Sequence, residues 1–400
     1  MSKIKEALEK GHGVLQLMPT WVPRPFNEPG RRLKLHPDDY FALGMDRGGI
    51  CERWIGSVAH ADNGPLTKPD EGMSYVVLDK STGEKALLKE VIEELGAEII
   101  GQELYGKYGT WPSYSKFFDY DKPLFHHLHL MDKDASLIGT NGKPEAYYFP
   151  PQYNCSQLGR RPSTYFGFDP STTKEQVRQC LADYSVRDTH ILELSRGYQI
   201  QLGTGWYTPA GVIHAPASVV TYEPQWNADC NVIMENVTMG EVNSYDLLTG
   251  CQPEEKKGDL DALMDCLDWE ECVRPDYKET YFRAPKEKES HQTGLSEKWI
   301  TYANDWVAAK EVTIAPQSSV VVKDAACYDA IFVQGHGKFG VYNCEAPGLL
   351  RYGQFSGDEY FVSESAAKKG IVVTNESEYE PLVFLQHFSN NNPEVPKTVK

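Results

Sequence analysis

The feature that most constrains this chain is its punctuation. Its apolar and aromatic runs are short, and nearly every one stops at Gly, Pro, Asn or Asp. Helices need longer periodic stretches, whereas strands of five to seven residues alternate faces and turn at such breakers. The runs SYVVLD at 74–79, FHHLHLM at 125–131, EAYYF at 145–149, HILEL at 190–194, YQIQL at 198–202 and VVTYE at 219–223 therefore read as strands. Strands so spaced predict a mainly β protein, a sandwich or barrel of the jelly-roll kind.

Two segments carry helical spacing instead. Leu88, Val91, Ile92 and Leu95 follow a Ser81–Glu84 capping pattern, and Val177, Cys180, Leu181 and Tyr184 follow Thr172–Glu175. A third helix candidate, 259–272, sits in a charged stretch that reads as an exposed connection. The organisation expected is an N-terminal segment and metal-binding domain over 1–250, a charged helical connection over 251–290, and a smaller β-barrel over 291–400. His336 and His387 in that last part lack an HxH partner and read as structural.

Four hundred residues are ample for a buried core without staples. The nine cysteines form no CxxC pair, which argues for buried thiols rather than a disulfide framework or a zinc knuckle. A net charge of −17 with no basic stripe excludes a nucleic-acid partner. No apolar run approaches the roughly 18 residues of a membrane span, and the N-terminus reads as a short polar helix, so the expected location is cytoplasmic.

His127 and His129 are two apart in a strand-like run, so both imidazoles emerge on one face while His126 points to the other. After the turn signal Gly139-Thr-Asn-Gly142, Glu145 opens a returning strand. Later, Pro209 and Gly211 shape a tight turn from which a strand delivers His214. Three imidazoles and a carboxylate suit one divalent transition metal, with Zn²⁺ the first expectation and Mn²⁺, Fe²⁺, Co²⁺ or Ni²⁺ as alternatives.

HxH…E followed by G-x-x-x-P-x-G-x-x-H resembles the two-part signature of cupins. Four stretches narrow the resemblance to type I mannose-6-phosphate isomerases: CERWIGSVAHAD at 51–62, HLHLMD at 127–132, KPEAYYF at 143–149 and GWYTPAGVIHAPASVVTYEPQWNAD at 205–229. The resemblance implies a double-stranded β-helix domain with flanking helices plus a second, cupin-like barrel. It implies that His127, His129, Glu145 and His214 hold the metal, and that Glu52, Lys143, Glu223 and Asp229 belong to the substrate pocket. Three positions depart from the pattern: the family's first ligand, usually glutamine, is His127, the family's arginine falls on Ile233, and a serine expected before the first ligand is Phe125, the last two bearing on the substrate. Both weaken the case for a phosphorylated sugar, because Arg is the side chain best shaped to clamp phosphate.

The implied activity is aldose–ketose isomerisation, mannose 6-phosphate to fructose 6-phosphate through an enediol, with a small sugar or sugar phosphate as the partner. Glu223 and Lys143 are the candidate proton carriers, and Glu52 and Asp229 the candidate substrate contacts. An unphosphorylated or modified sugar, an Fe-dependent dioxygenase and noncatalytic sugar binding stay open as alternatives. Lys133, Arg160, Arg161 and Arg196 are further cations that an anionic substrate could meet.

Overall fold

The computed structural model describes residues 2–154 and 162–400. Four open antiparallel sheets stack in layers. The first has the spatial order Ser195–Gln199, Ser163–Phe168, His214–Ala215, His127–Leu128 and Val232–Ile233. The second runs Phe282–Arg283, Gly205–Thr208, Glu145–Tyr148, Thr221–Trp226, Ser113–Phe118, Gly49–Ile55 and Thr20–Arg24. The third runs Val14–Gln16, Glu359–Val362, Tyr328–Gln334, Leu382–Phe388, Ala308–Ile314, Leu295–Thr301 and Lys286–Lys288, and the fourth Ser319–Val322, Ile371–Asn375, His336–Phe339 and Tyr342–Glu345.

Period-2 alternation explains the stacking. On the second sheet Phe118, Tyr147 and Trp206 point toward Leu128 and Phe166 of the first. The intervening residues Phe117, Tyr148 and Tyr222 point the other way, against Ile331, Val383 and Leu385 of the third sheet. Phe332 and Phe384 leave the opposite face of that sheet to meet Phe339 and Val373 of the fourth. Both faces of the second sheet are thus covered, and Gly49–Ile55 and Ser113–Phe118 are buried at every position. Full burial of each large apolar side chain in these layers contributes roughly 1.5–3 kcal/mol before the entropy of ordering it.

The jelly-roll expectation is corrected here. Each sheet ends in two edge strands and none closes on itself, so neither the first barrel nor the C-terminal one forms, and the molecule is a mixed α/β assembly. Alternation fixes which face a side chain takes, but not whether the last strand of a sheet finds the first. The cupin and jelly-roll expectations fall with the barrel.

Local expectations fared unevenly. Helices occupy Lys3–Lys10, Leu88–Leu95 and Lys174–Ala182, but their caps differ from those read in the sequence. Ser81 and Glu84 lie in a hairpin instead, and Glu90 accepts from the Leu87 N–H at 2.8 Å. The second cap is Thr173 with Gln176, one residue later than expected. The 190–194 run is a 3-10 turn at Ile191–Leu194, and the 259–272 helix breaks into Leu260–Asp265 and Trp269–Cys272. Among the described residues no helix is long and apolar enough to cross a membrane.

The thiol reading is corrected at one pair: Cys230 and Cys251 are joined, with Cα atoms 6.4 Å apart. Six other cysteines are free and buried, and Cys155 lies outside the described residues. His387 donates from Nδ1 to the Asp329 carboxylate at 2.6 Å inside the third layer, and His336 is exposed.

Candidate metal centre and pocket

The site lies between the first two sheets. His127 and His214 sit directly opposite each other on neighbouring strands of the first sheet, and His129 follows on the same face as His127. Candidate ligand atoms of the three imidazoles all lie within 4.8 Å of one another, and all three residues are buried. This cluster is capable of holding a divalent metal.

The turn ahead of His214 is tied to its neighbour. Gly211 adopts φ +83°, where a Cβ would press on Met131 and the Asp268 nitrogen at 3.1 Å, so only glycine fits without strain. Its N–H donates to the His129 carbonyl at 2.7 Å. Each ring nitrogen remote from the centre is also engaged: Nδ1 of His127, His129 and His214 meets the carbonyls of Phe125, Cys230 and Val212 at 2.9, 3.1 and 2.9 Å. A carbonyl only accepts, so each Nδ1 carries the proton and each Nε2 offers a lone pair inward. Burial, reinforced by the neighbouring rings, holds His127 well below the usual imidazole range. Burial likewise lowers His129, to about 4, with Glu145 opposing the shift. Both are neutral near pH 7, the form that binds metal.

Glu145 enters from the second sheet. Its Oε2 lies 2.9 Å from His129 Nε2 and its Oε1 lies 3.2 Å from His214 Nε2. Burial opposes its ionisation, but the Lys143 ammonium 3.0 Å away favours it, and the carboxyl lies well below the usual carboxylate range. Neither Glu145 oxygen nor His214 Nε2 has a hydrogen bond of good geometry although all are buried. Inward lone pairs beside an ionised, under-satisfied carboxylate are the donor set a divalent cation fits.

Alternate residues of the second sheet line the rest of the pocket, a cavity of about 30 Å³. Lys143 Nζ lies 3.0 Å from Glu145 Oε2, 3.1 Å from His129 Nε2 and 3.4 Å from Glu223 Oε1. Lys116, opposite Glu223 in the ladder, reaches Glu223 at 3.3 Å and Glu52 at 3.6 Å. Arg24 then binds Glu52 at 3.0 Å and Asp229 at 2.8 Å, and Trp54 and Tyr120 donate to Glu52. Burial and the proximity of Glu145 push Glu223 up to about 8 despite Lys116 and Lys143. Lys143 is raised above its ordinary value because Glu145 and Glu223 outweigh its burial.

Six of the eight candidate residues line one pocket, and Glu145 and His214 join it through contacts with His129 and with each other. His126 faces away, its Nε2 3.0 Å from the Ser195 hydroxyl. Lys133 and Arg196 do not join the site: Lys133 is exposed and donates to the Asp265 carbonyl, and Arg196 donates to the carbonyls of Cys272 and Arg274. Arg160 and Arg161 lie outside the described residues. Sequence reasoning missed Arg24, Lys116 and Tyr120. For Lys116 a signal existed, a single charge on the alternating aromatic strand SYSKFF, whereas Arg24 meets partners 28 and 205 residues away and left none.

Solved structures resemble the chain along nearly its whole length. Mannose 6-phosphate isomerase from Bacillus subtilis superposes with a TM-score of 0.61 at 15% identity, covering 94% of this chain and 99% of its own. A variant of phosphomannose isomerase from Salmonella typhimurium gives 0.63 at 12% identity, covering 94% and 100%. The chain shares their fold. At such identity the likeness extends to architecture and not to substrate. No known family matches the sequence, and no curated protein sequence matches it.

Proposed function

We propose that this chain is a metal-dependent aldose–ketose isomerase, with His127, His129, Glu145 and His214 holding the ion and a sugar as substrate. The observation that carries the reading is the direct contact of Lys143 with both Glu145 and Glu223, which sets two proton-handling groups beside the candidate metal ligands. The fold shared with solved mannose 6-phosphate isomerases supports it.

Isomerisation moves a proton between adjacent sugar carbons through an enediol, and so needs a proton carrier and a stabiliser for the oxyanion. A bound divalent metal supplies Lewis acidity toward the sugar oxygens. Glu223, held near 8, exchanges a proton close to neutral pH, and its Oε1 is the atom that would take it from one carbon and return it to the next. Lys143, a cation beside that oxygen, orients the carboxylate and donates hydrogen bonds to oxygen as charge develops. Lys116 steadies Glu223 from the far side, and Arg24 locks Glu52 and Asp229 at the outer end.

The test is an NMR assay of mannose, fructose and their 6-phosphates with the metal-reconstituted chain in D₂O. Interconversion with deuterium entering at the carbon next to the carbonyl is expected. No interconversion of any of the four, or oxygen uptake with Fe²⁺ bound, would overturn the reading.

A further inference from the structure

The pocket continues outward. Past Phe26, Phe125, Asp229 and Asn231, which line both spaces, it opens into a recess of about 310 Å³. We infer that this site takes a sugar that is uncharged at the end remote from the metal, an unphosphorylated aldose or ketose. The inference rests on the isomerase reading of the inner site and adds the substrate's charge.

The cations of the inner pocket are already matched. Among the described residues its lining holds Arg24, Lys116 and Lys143, each within 3.6 Å of two carboxylates drawn from Glu52, Glu145, Glu223 and Asp229. Three cations face four carboxyl groups before any ion is bound. A phosphate dianion entering here must compete for these cations with buried carboxylates that already hold them.

The outer recess is worse for an anion. Its ionisable residues among those described are Asp62, Asp229 and Asp246, all acids. Its other walls include Phe26, Phe125, Ile233 and Leu247. At the nearby helix Tyr245–Thr249, Ser244 already accepts from the Asp246 N–H, and Asp246 adds an acid in the first turn. Ring faces pack against the C–H face of a sugar, and the Asn63 and Asn231 amides on the wall suit hydroxyls, which both donate and accept. Phosphate recognition calls instead for a guanidinium fork, an ammonium or several free N–H groups.

The experiment uses the full chain reloaded with Zn²⁺, its metal content checked by elemental analysis. Mannitol and mannitol 1-phosphate, which cannot be isomerised, are titrated by calorimetry or saturation-transfer NMR at low ionic strength. Mannitol is expected to bind at least roughly tenfold more tightly, and the double variant D62K/D246K to shrink that preference at least roughly tenfold with metal content unchanged. Both aspartates are exposed, so the replacements do not disturb the core. Equal or tighter binding of the phosphate, or no binding of either compound, overturns the inference. Faster isomerisation of the 6-phosphates than of free sugars sinks the inference and leaves the isomerase reading standing. A preference for mannitol without turnover of any sugar sinks the isomerase reading and leaves the charge inference standing.

Discussion

His127 and His214 are cross-strand partners, opposite one another in an antiparallel ladder with ring centroids 4.2 Å apart. Two imidazoles are therefore presented by regular backbone rather than by loops, and their backbone-bound Nδ1 atoms fix how they face. Such preorganisation means that a ligand can be deleted without collapsing its support. His214→Ala and Glu145→Ala should each lower metal affinity by more than roughly 100-fold with an unchanged far-ultraviolet circular dichroism spectrum. Elemental analysis after dialysis reads the outcome, and full occupancy in both variants would remove them from the ligand set.

Glu223 differs from Glu145 in touching no imidazole, its recorded ion-pair partners being Lys116 and Lys143. Glu223→Gln keeps shape and hydrogen bonding but cannot carry a proton. Metal content should stay at the wild-type level while kcat falls by about 10²- to 10⁴-fold. Loss of metal along with activity would instead make Glu223 a support for the ion.

Much of this site was legible because its parts obey local rules. HxH on a strand, a turn followed by Glu145, and a Pro-Gly turn before His214 each fix a side chain's direction within a few residues. Arg24 was not, since its role exists only once Asp229, 205 residues away in sequence, is brought beside it. The fold was half legible for the same reason. Alternation marked 74–79, 145–149 and 219–223, and strands stand at Tyr75–Asp79, Glu145–Tyr148 and, shifted by two to three residues, Thr221–Trp226, but it cannot say whether sheets close, and here they lie open beneath further layers. HILEL, equally apolar, became a 3-10 turn because its first residue, His190, takes a left-handed conformation that ends an extended run. The Cys230–Cys251 pair joins residues 21 apart with no spacing motif to announce it.

Arg24 is buried among acids, and its charge is held by Asp229 and Glu52 against the cost of burial. Arg24→Met leaves both carboxylates buried without their guanidinium. Urea denaturation should show a loss of about 3–5 kcal/mol. Adding Glu52→Gln and Asp229→Asn to the same chain should recover a large part of it, because neutral amides in the same places no longer need a cation. An equal loss in the triple variant would mean that Arg24 contributes by packing instead.

Glu359 carries a pH dependence far from the candidate metal. It is fully buried beside Arg53, whose Nη2 lies 3.1 Å away. Burial, reinforced by Asp358 and Asp329 and only partly offset by Arg53, raises it to about 8. In the unfolded chain the same carboxyl ionises near the ordinary value of 4.5. A raised folded value means that its contribution to stability is fully present below the unfolded value. As pH climbs from there toward 8, the unfolded chain releases a proton that the folded one retains, and stability falls. Glu359→Gln mimics the neutral acid, still accepts from Arg53 and does not titrate. Relative to wild type it should gain stability steadily between about pH 4.5 and 8, reaching at most a few kcal/mol, with no further change above. Urea midpoints for both proteins at pH 5, 6.5 and 8 provide the check. A difference that stays constant across the three would place the Glu359 proton elsewhere in the Arg53–Asp358 cluster.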